Sequence, residues 1–184
     1  MVRNMKNAGK QFESDFQKSV PCYCFCHRLK DTAQSYNSSD KTKFSWDNPC
    51  DFFIFSSTSH LFYALELKST KYKSMTYAKS KEEDKGKNKK MIKYHQIESL
   101  RELSQYNGIY AGFLLNFRDE KNECERTYYI DINRFDTMCK RVGKGSFNEI
   151  DLIQNFALKV NGQKKRVHYR WDIGDMLGDI PAVL

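Results

Sequence analysis

The stretch Pro49-Cys50-Asp51-Phe52-Phe53-Ile54-Phe55, the cluster Ser56-Ser57-Thr58-Ser59-His60, and Leu61-Phe62-Tyr63-Ala64-Leu65-Glu66-Leu67-Lys68 together decide the fold. The first run is short and largely apolar, as a buried central strand would be. The Ser/Thr cluster is turn chemistry, so the flanking runs are expected to pair as a hairpin. Strand side chains alternate, which puts Glu66 and Lys68 on one face and Leu65 and Leu67 on the other. A carboxylate and an ammonium between apolar neighbours are costly unless they pair or meet a ligand. Asp51 opens the adjacent strand and can lie beside Glu66, giving two convergent carboxylates and a lysine. Two hard oxygen ligands suit Mg²⁺, which keeps several waters and accepts phosphate as a further ligand. A lysine beside them could orient or deprotonate an attacking water and offset charge on the phosphate. By itself, Glu-x-Lys also fits an ion pair on an edge strand.

Working outward, Ala8, Phe12 and Phe16 recur at i, i+4 and i+8, which predicts a helix over 5–19 that Pro21 ends. Residues 22–29 read as a strand, with Cys22, Cys24 and Cys26 alternating on one side. Residues 31–49 are rich in Asp, Ser, Asn and Thr and are expected to form a polar loop or protrusion. Residues 71–93 carry nine lysines against three acids, a net of +6, and read as a basic loop with a mobile middle. Ile97, Leu100 and Leu103 predict a helix closed by Gly108. Strands follow over 109–117, the most apolar run, and 127–131, and a short helix over 133–140. Ser146-Phe147-Asn148-Glu149 reads as a capping box opening a helix through Ile150, Ile153 and Phe156. Asn161-Gly162 reads as a hairpin turn between 157–160 and 166–171. This order predicts one α/β domain over 1–184, a mixed central β-sheet flanked by helices on both faces.

Lys and Arg number 31 against 23 Asp and Glu, a net charge of +8. That excess points to an anionic partner: nucleic acid, a membrane surface or an acidic protein. No run approaches the ~18 continuous apolar residues of a membrane helix. Residues 1–7 lack the apolar segment of a signal peptide, so a cytoplasmic location is expected, in a bacterial cell or a virus-infected host. In that compartment the six cysteines are expected to be reduced thiols, rather than disulfides or a metal or iron–sulfur site.

Pro49-Cys50-Asp51, a gap of 14 residues and Glu66-Leu67-Lys68 resemble the PD-(D/E)XK signature of restriction-endonuclease-like nucleases. Gly9-Lys10-Gln11-Phe12-Glu13 resembles the Gly-x-x-Phe-Glu helix start of Holliday junction resolvases. His95-Gln96 resembles the His-Gln pair of the RecU-type resolvases, followed there too by an apolar strand. The four motifs stand in the family's order and span roughly residues 9–135. The resemblance implies a restriction-endonuclease-like core and a homodimeric, Mg²⁺-dependent endonuclease, with Mn²⁺ able to substitute, that nicks four-way DNA junctions symmetrically. Asp51 and Glu66 would hold the metal and Lys68 would be the catalytic lysine. Glu13 would be an auxiliary acid at the site's edge, and Gln96 would orient the water or the lysine. The chain departs from the family at 31–49, where a basic, proline-containing stalk is replaced by Asn/Ser-rich sequence. Residues 140–184 match no part of the pattern.

For DNA contact the sequence offers Lys71, Lys73, Lys79, Lys89, Lys90 and Lys93, interleaved with Tyr72 and Tyr77 that could pack on sugars or bases. Lys164, Lys165, Arg166 and Arg170 form a second basic strand face suited to phosphates. Two other readings stand beside junction cleavage. One is a nuclease of the same fold acting on ordinary duplex or flapped DNA. The other is a DNA-binding protein or nuclease inhibitor that keeps the fold without catalysis. The intact Asp/Glu/Lys set argues against the last.

Overall fold

The Asp51–Lys68 hairpin lies inside a six-stranded mixed sheet. The computed structural model describes residues 8–29, 48–84, 89–122 and 124–178. The chain begins α1 (Ala8–Gln17), β1 (Cys24–Arg28), β2 (Phe52–Ser56), β3 (Phe62–Thr70) and β4 (Ser74–Thr76). It continues α2 (Lys81–Asp84), α3 (Tyr94–Leu103), β5 (Ile109–Asp119), β6 (Cys124–Asp131) and α4 (Ile132–Val142). It proceeds through β7 (Ser146–Asn148), α5 (Glu149–Gln154), β8 (Leu158–Val160), β9 (Gly162–Lys165), β10 (His168–Trp171) and α6 (Ile173–Met176). The main sheet has the order β1-β2-β3-β5-β6-β8. β2 and β3 pair antiparallel, Phe52 opposite Leu65 and Phe55 opposite Phe62. β3 and β5 run parallel over nine residue pairs, so the chain must cross over between them, and α3 lies in that crossover.

The sheet is covered on both faces. On one, Ala64, Ala111, Phe113 and Leu115 pack with Ile97 and Leu100 of α3 and Phe135 and Met138 of α4. On the other, Phe52, Ile54, Leu65, Leu67 and Leu114 pack with Phe12 and Phe16 of α1 and with Tyr169, Trp171 and Met176. Part of the stretch that matched no motif, residues 160–177, therefore closes this second core. Buried Asp15 fastens them to α1, its Oδ2 accepting from Tyr169 N at 3.0 Å and its Oδ1 lying 2.8 Å from His168 Nδ1. Among the described residues no helix is long and apolar enough to cross a membrane.

Several sequence expectations need correcting. The capping box is shifted: Asn148, not Ser146, caps α5, accepting from Ile150 N and Asp151 N while Asp151 bonds back to Asn148 N. Ser146–Asn148 is instead spent pairing with β4. The shift turns Leu152 inward and leaves Ile150, Ile153 and Phe156 exposed. Asn161-Gly162 does not turn the hairpin. Gly162 pairs with Trp171, and the turn falls at Arg166-Val167, with Arg166 at φ +50°. A Cβ at 162 would come within 2.7 Å of Trp171 Cδ1, so this glycine answers a close approach rather than a turn. Helix α3 ends at Leu103, capped by Ser104, and Gly108, at φ +88°, shapes the entry to β5. Residues 71–93 are not simply loop: Met75, Tyr77, Ala78 and Ile92 are buried core. Tyr77 is thereby removed from the candidate DNA contacts, its hydroxyl donating to the Lys144 and Cys139 carbonyls. Residues 85–88, within the expected mobile middle of 71–93, and residues 31–47 of the protrusion expected over 31–49 lie outside the described residues.

Candidate active site

Asp51 sits where the β2 ladder meets β3. Its backbone N donates to Leu65 O at 3.0 Å, and its own carbonyl accepts from Leu29 N at 2.9 Å. Its side chain continues the ladder, Oδ2 accepting from Leu67 N at 2.7 Å. Three bonds thus hold the carboxylate beside the middle of β3. Glu66, one residue before Leu67, is only 4 % exposed, a costly place for an ionised group without partners. It has two: Lys68 Nζ donates to Glu66 Oε1 at 2.7 Å, and Gln96 Nε2 donates to the same oxygen. Gln96 is itself oriented by its helix, since its Oε1 accepts from Lys93 N at 3.0 Å. The first turn of α3 therefore aims the amide N–H at Glu66 on β3.

Glu13 stands at the rim. Arg28, at the end of β1, donates to Glu13 Oε2 through both Nε, at 3.0 Å, and Nη2. Glu13 is close enough to add to the negative field on Asp51. That field has consequences. Burial first, then the Glu66 carboxylate, push Asp51 up to about 7, against the opposing pull of the Leu67 N–H and Lys68. Burial, then the Glu66 and Asp51 carboxylates, also raise the neighbouring Cys50 thiol well above its ordinary value. Asp51, Glu66, Lys68 and Gln96 are thus gathered at one place, with Glu13 at its rim within electrostatic reach of Asp51.

As a metal donor set, Asp51 and Glu66 each commit one oxygen to a hydrogen bond, Oδ2 and Oε1, leaving the other without one from the described residues. Among the described residues no group of three or more His, Cys, Asp or Glu side chains forms a metal cage. Two hard carboxylate oxygens fit a cation that retains much of its water, and not a fully caged one. No disulfide joins any of the six cysteines. His95 lies 4.0 Å from Asp84 and makes no hydrogen bond or ion pair with Asp51 or Glu66.

The basic candidates divide into three groups. Lys71 and Lys73 are exposed just past the end of β3. The β9–β10 hairpin bearing Lys164, Lys165, Arg166 and Arg170 is tied near the same end of the sheet, where Tyr169 Oη accepts from Glu125 N at 3.3 Å. Glu125 pairs in register with Arg118, the residue after Phe117, which stands opposite Thr70. Lys79 and Lys90 lie elsewhere, near the end of α4: Lys79 Nζ donates to Gly143 O at 2.6 Å, and Lys90 is 3.9 Å from Glu83. Lys89 and Lys93 are exposed on the approach to α3. Sequence reasoning missed Arg28 and Arg118. Alternation along β1 could have put Arg28 on the α1 side with Cys24 and Cys26, but its partner Glu13 is 15 residues away.

The fold and site define an α/β protein with a carboxylate–lysine cluster built on two adjacent strands and backed by a helix. Within that class, the chain belongs to the family of the SPbeta prophage-derived uncharacterized protein YotM of Bacillus subtilis (strain 168). The two are 31 % identical over 186 residues, spanning 95 % of this chain and 87 % of that protein. No protein-family model matches the chain.

Proposed function

We propose that the protein is a Mg²⁺-dependent, structure-selective DNA endonuclease of the RecU-type resolvase kind, on a restriction-endonuclease-like core. One observation carries the reading: Lys68 and Gln96 both donate to one oxygen of Glu66, and Leu67 N holds the Asp51 carboxylate beside them, so side chains from three separate segments meet. The order of elements, with α1 before the β2–β3 hairpin and α3 and the apolar β5 after it, agrees with the order of the same motifs. A divalent cation bound by Asp51 and Glu66 would supply Lewis-acid polarisation of the phosphate and a more acidic water. The chain's own groups do the rest. Lys68 presents its ammonium to the phosphate and to the attacking water, and Gln96 fixes the Glu66 carboxylate. Glu13, held by Arg28, adds negative potential that favours cation binding. The prophage origin of the relative fits a site of action in bacterial cytoplasm, and symmetric cleavage calls for a homodimer.

The test is incubation with labelled four-way junction and with matched linear duplex, each with Mg²⁺, with Mn²⁺ and with excess chelator. Junction cleavage that needs the cation is expected, and Asp51→Asn or Glu66→Gln should abolish it while leaving junction binding nearly intact. Cutting at the wild-type rate in either variant, or in chelator, would sink the mechanism. Equal cutting of linear duplex would favour a plain duplex or flap nuclease on the same core.

A further inference from the structure

Two residues beyond Lys68, about 7 Å along the strand, β3 ends at Thr70 on a pocket of about 260 Å³. Its volume falls below the roughly 300–1,000 Å³ of sites for drug-sized ligands and cofactors. The pocket's lining is chemically mixed. Tyr72 is 67 % exposed, with Lys71 Nζ 5.8 Å from the ring centroid. Met91, half-buried, supplies an apolar wall. Arg118 is braced from two sides, Nε donating to Ser69 Oγ at 3.0 Å and Nη1 to Glu120 Oε1 at 2.9 Å. The pair sets a donor beside an acceptor. An aromatic face, cations and a donor–acceptor pair are what a single unstacked base and its phosphate require.

We propose that this pocket is a subsite for one unstacked nucleobase of the DNA strand flanking the scissile phosphate; the placement beside a scissile bond rests on the nuclease reading above. The base stacks on Tyr72 against Met91, with Arg118 and Glu120 at its polar edge and Lys71 on the adjoining phosphate. Taking a base out of a duplex costs a few kcal/mol, and least where it is already unpaired. A pocket of this kind therefore favours branched or locally open DNA, independently of any protrusion at residues 31–49.

The test is a binding cycle in chelator, so that cleavage plays no part. Full-length protein and its Tyr72→Ala and Tyr72→Phe variants are titrated against branched DNA carrying an abasic site at each position beside the branch. Tyr72 is exposed, so its removal should leave the melting temperature unchanged. At one position the abasic site should weaken wild-type binding by roughly 5- to 150-fold, the range base–aromatic stacking supplies. Tyr72→Ala should lose as much on intact DNA and nothing further on that abasic DNA, and Tyr72→Phe should behave as wild type. Losses for Tyr72→Ala that ignore the abasic site, no loss at all, or no binding of branched DNA would each overturn the subsite. Cation-dependent cleavage with a silent Tyr72 would remove the subsite and keep the nuclease. A positive cycle without cleavage under Mg²⁺ or Mn²⁺ would keep the base pocket and remove the nuclease.

Discussion

Asp51 is held in place by three backbone bonds and opposed by the charge of its neighbours, and that opposition has a measurable sign. Its folded value, about 7, stands above the ordinary 3.8. Between those values the native state binds a proton that the unfolded chain has released, so stability falls as pH rises from about 4 to about 7. The limiting slope is about 1.4 kcal/mol per pH unit. In metal-free buffer the melting temperature should therefore drop across that window. Asp51→Asn should flatten the drop and raise stability at pH 8, and a divalent cation should offset it in the wild type alone. An unchanged slope in Asp51→Asn would place the titration elsewhere. Lys68 gives a second prediction. Its replacement by Ala should cost a few orders of magnitude in cleavage rate, since acid–base and electrostatic contributions are each worth about 10²–10⁴-fold. A loss under tenfold in single-turnover assays would reduce Lys68 to a structural partner of Glu66. These residues were legible because strand alternation and motif order are local signals. Arg28 and Arg118 were not, because each acquires its role from a partner brought in by tertiary pairing, Glu13 for one and Ser69 for the other.

At the level of elements, periodicity located the helices and strands of both sheet faces, but side-chain competition at their ends decided the boundaries. Ser146 and Asn148 both suit a helix N-cap, and the sequence cannot say that β4 will claim Ser146–Asn148 as a partner strand. Tyr77 lies among lysines, yet its parallel bridge to Ile92 carries it into the core. Gly112 is a comparable hidden constraint within the most apolar strand. It pairs with Leu65 on one side and Asp131 on the other, and a Cβ there would lie 2.4 Å from Ile130 O and 2.9 Å from Tyr129 Cε2. The nearer obstacle is backbone and cannot rotate away, so β5 and β6 must separate to admit it. Gly112→Ala should destabilise by about 3 kcal/mol, the upper end of typical overpacking costs, measured by urea unfolding. A change below about 1 kcal/mol would mean that the two strands yield more easily than their register implies.

For the whole molecule, the net charge of +8 matters less than its distribution. Lys71, Lys73 and the β9–β10 hairpin share the end of the sheet where β3 leaves the carboxylate–lysine cluster, so on the proposed nuclease reading one stretch of DNA backbone would meet them together. A single such surface serves one strand. Symmetric resolution of a two-fold junction requires two cuts on opposing strands, and a C2 dimer is the simplest particle that holds two sites at once. The exposed residues of α5 and its exit bear on where the copies meet. Ile150, Ile153 and Phe156 are 63 %, 58 % and 77 % exposed, with Leu158 at 43 % beside them. Phe156 also adopts φ +60°, a conformation that costs a non-glycine residue of order 1 kcal/mol, with Arg134 Nη1 bonded to its carbonyl at 2.9 Å. Within one chain that strain serves to hold an aromatic ring out in water. Light scattering at micromolar concentration should give about twice 21.7 kDa, and Ile153→Asp, a substitution at an exposed position, should return the monomer without lowering its melting temperature. Wild-type protein that stays monomeric with and without junction DNA would refute the dimer and shift the reading to a duplex or flap nuclease that makes one cut at a time.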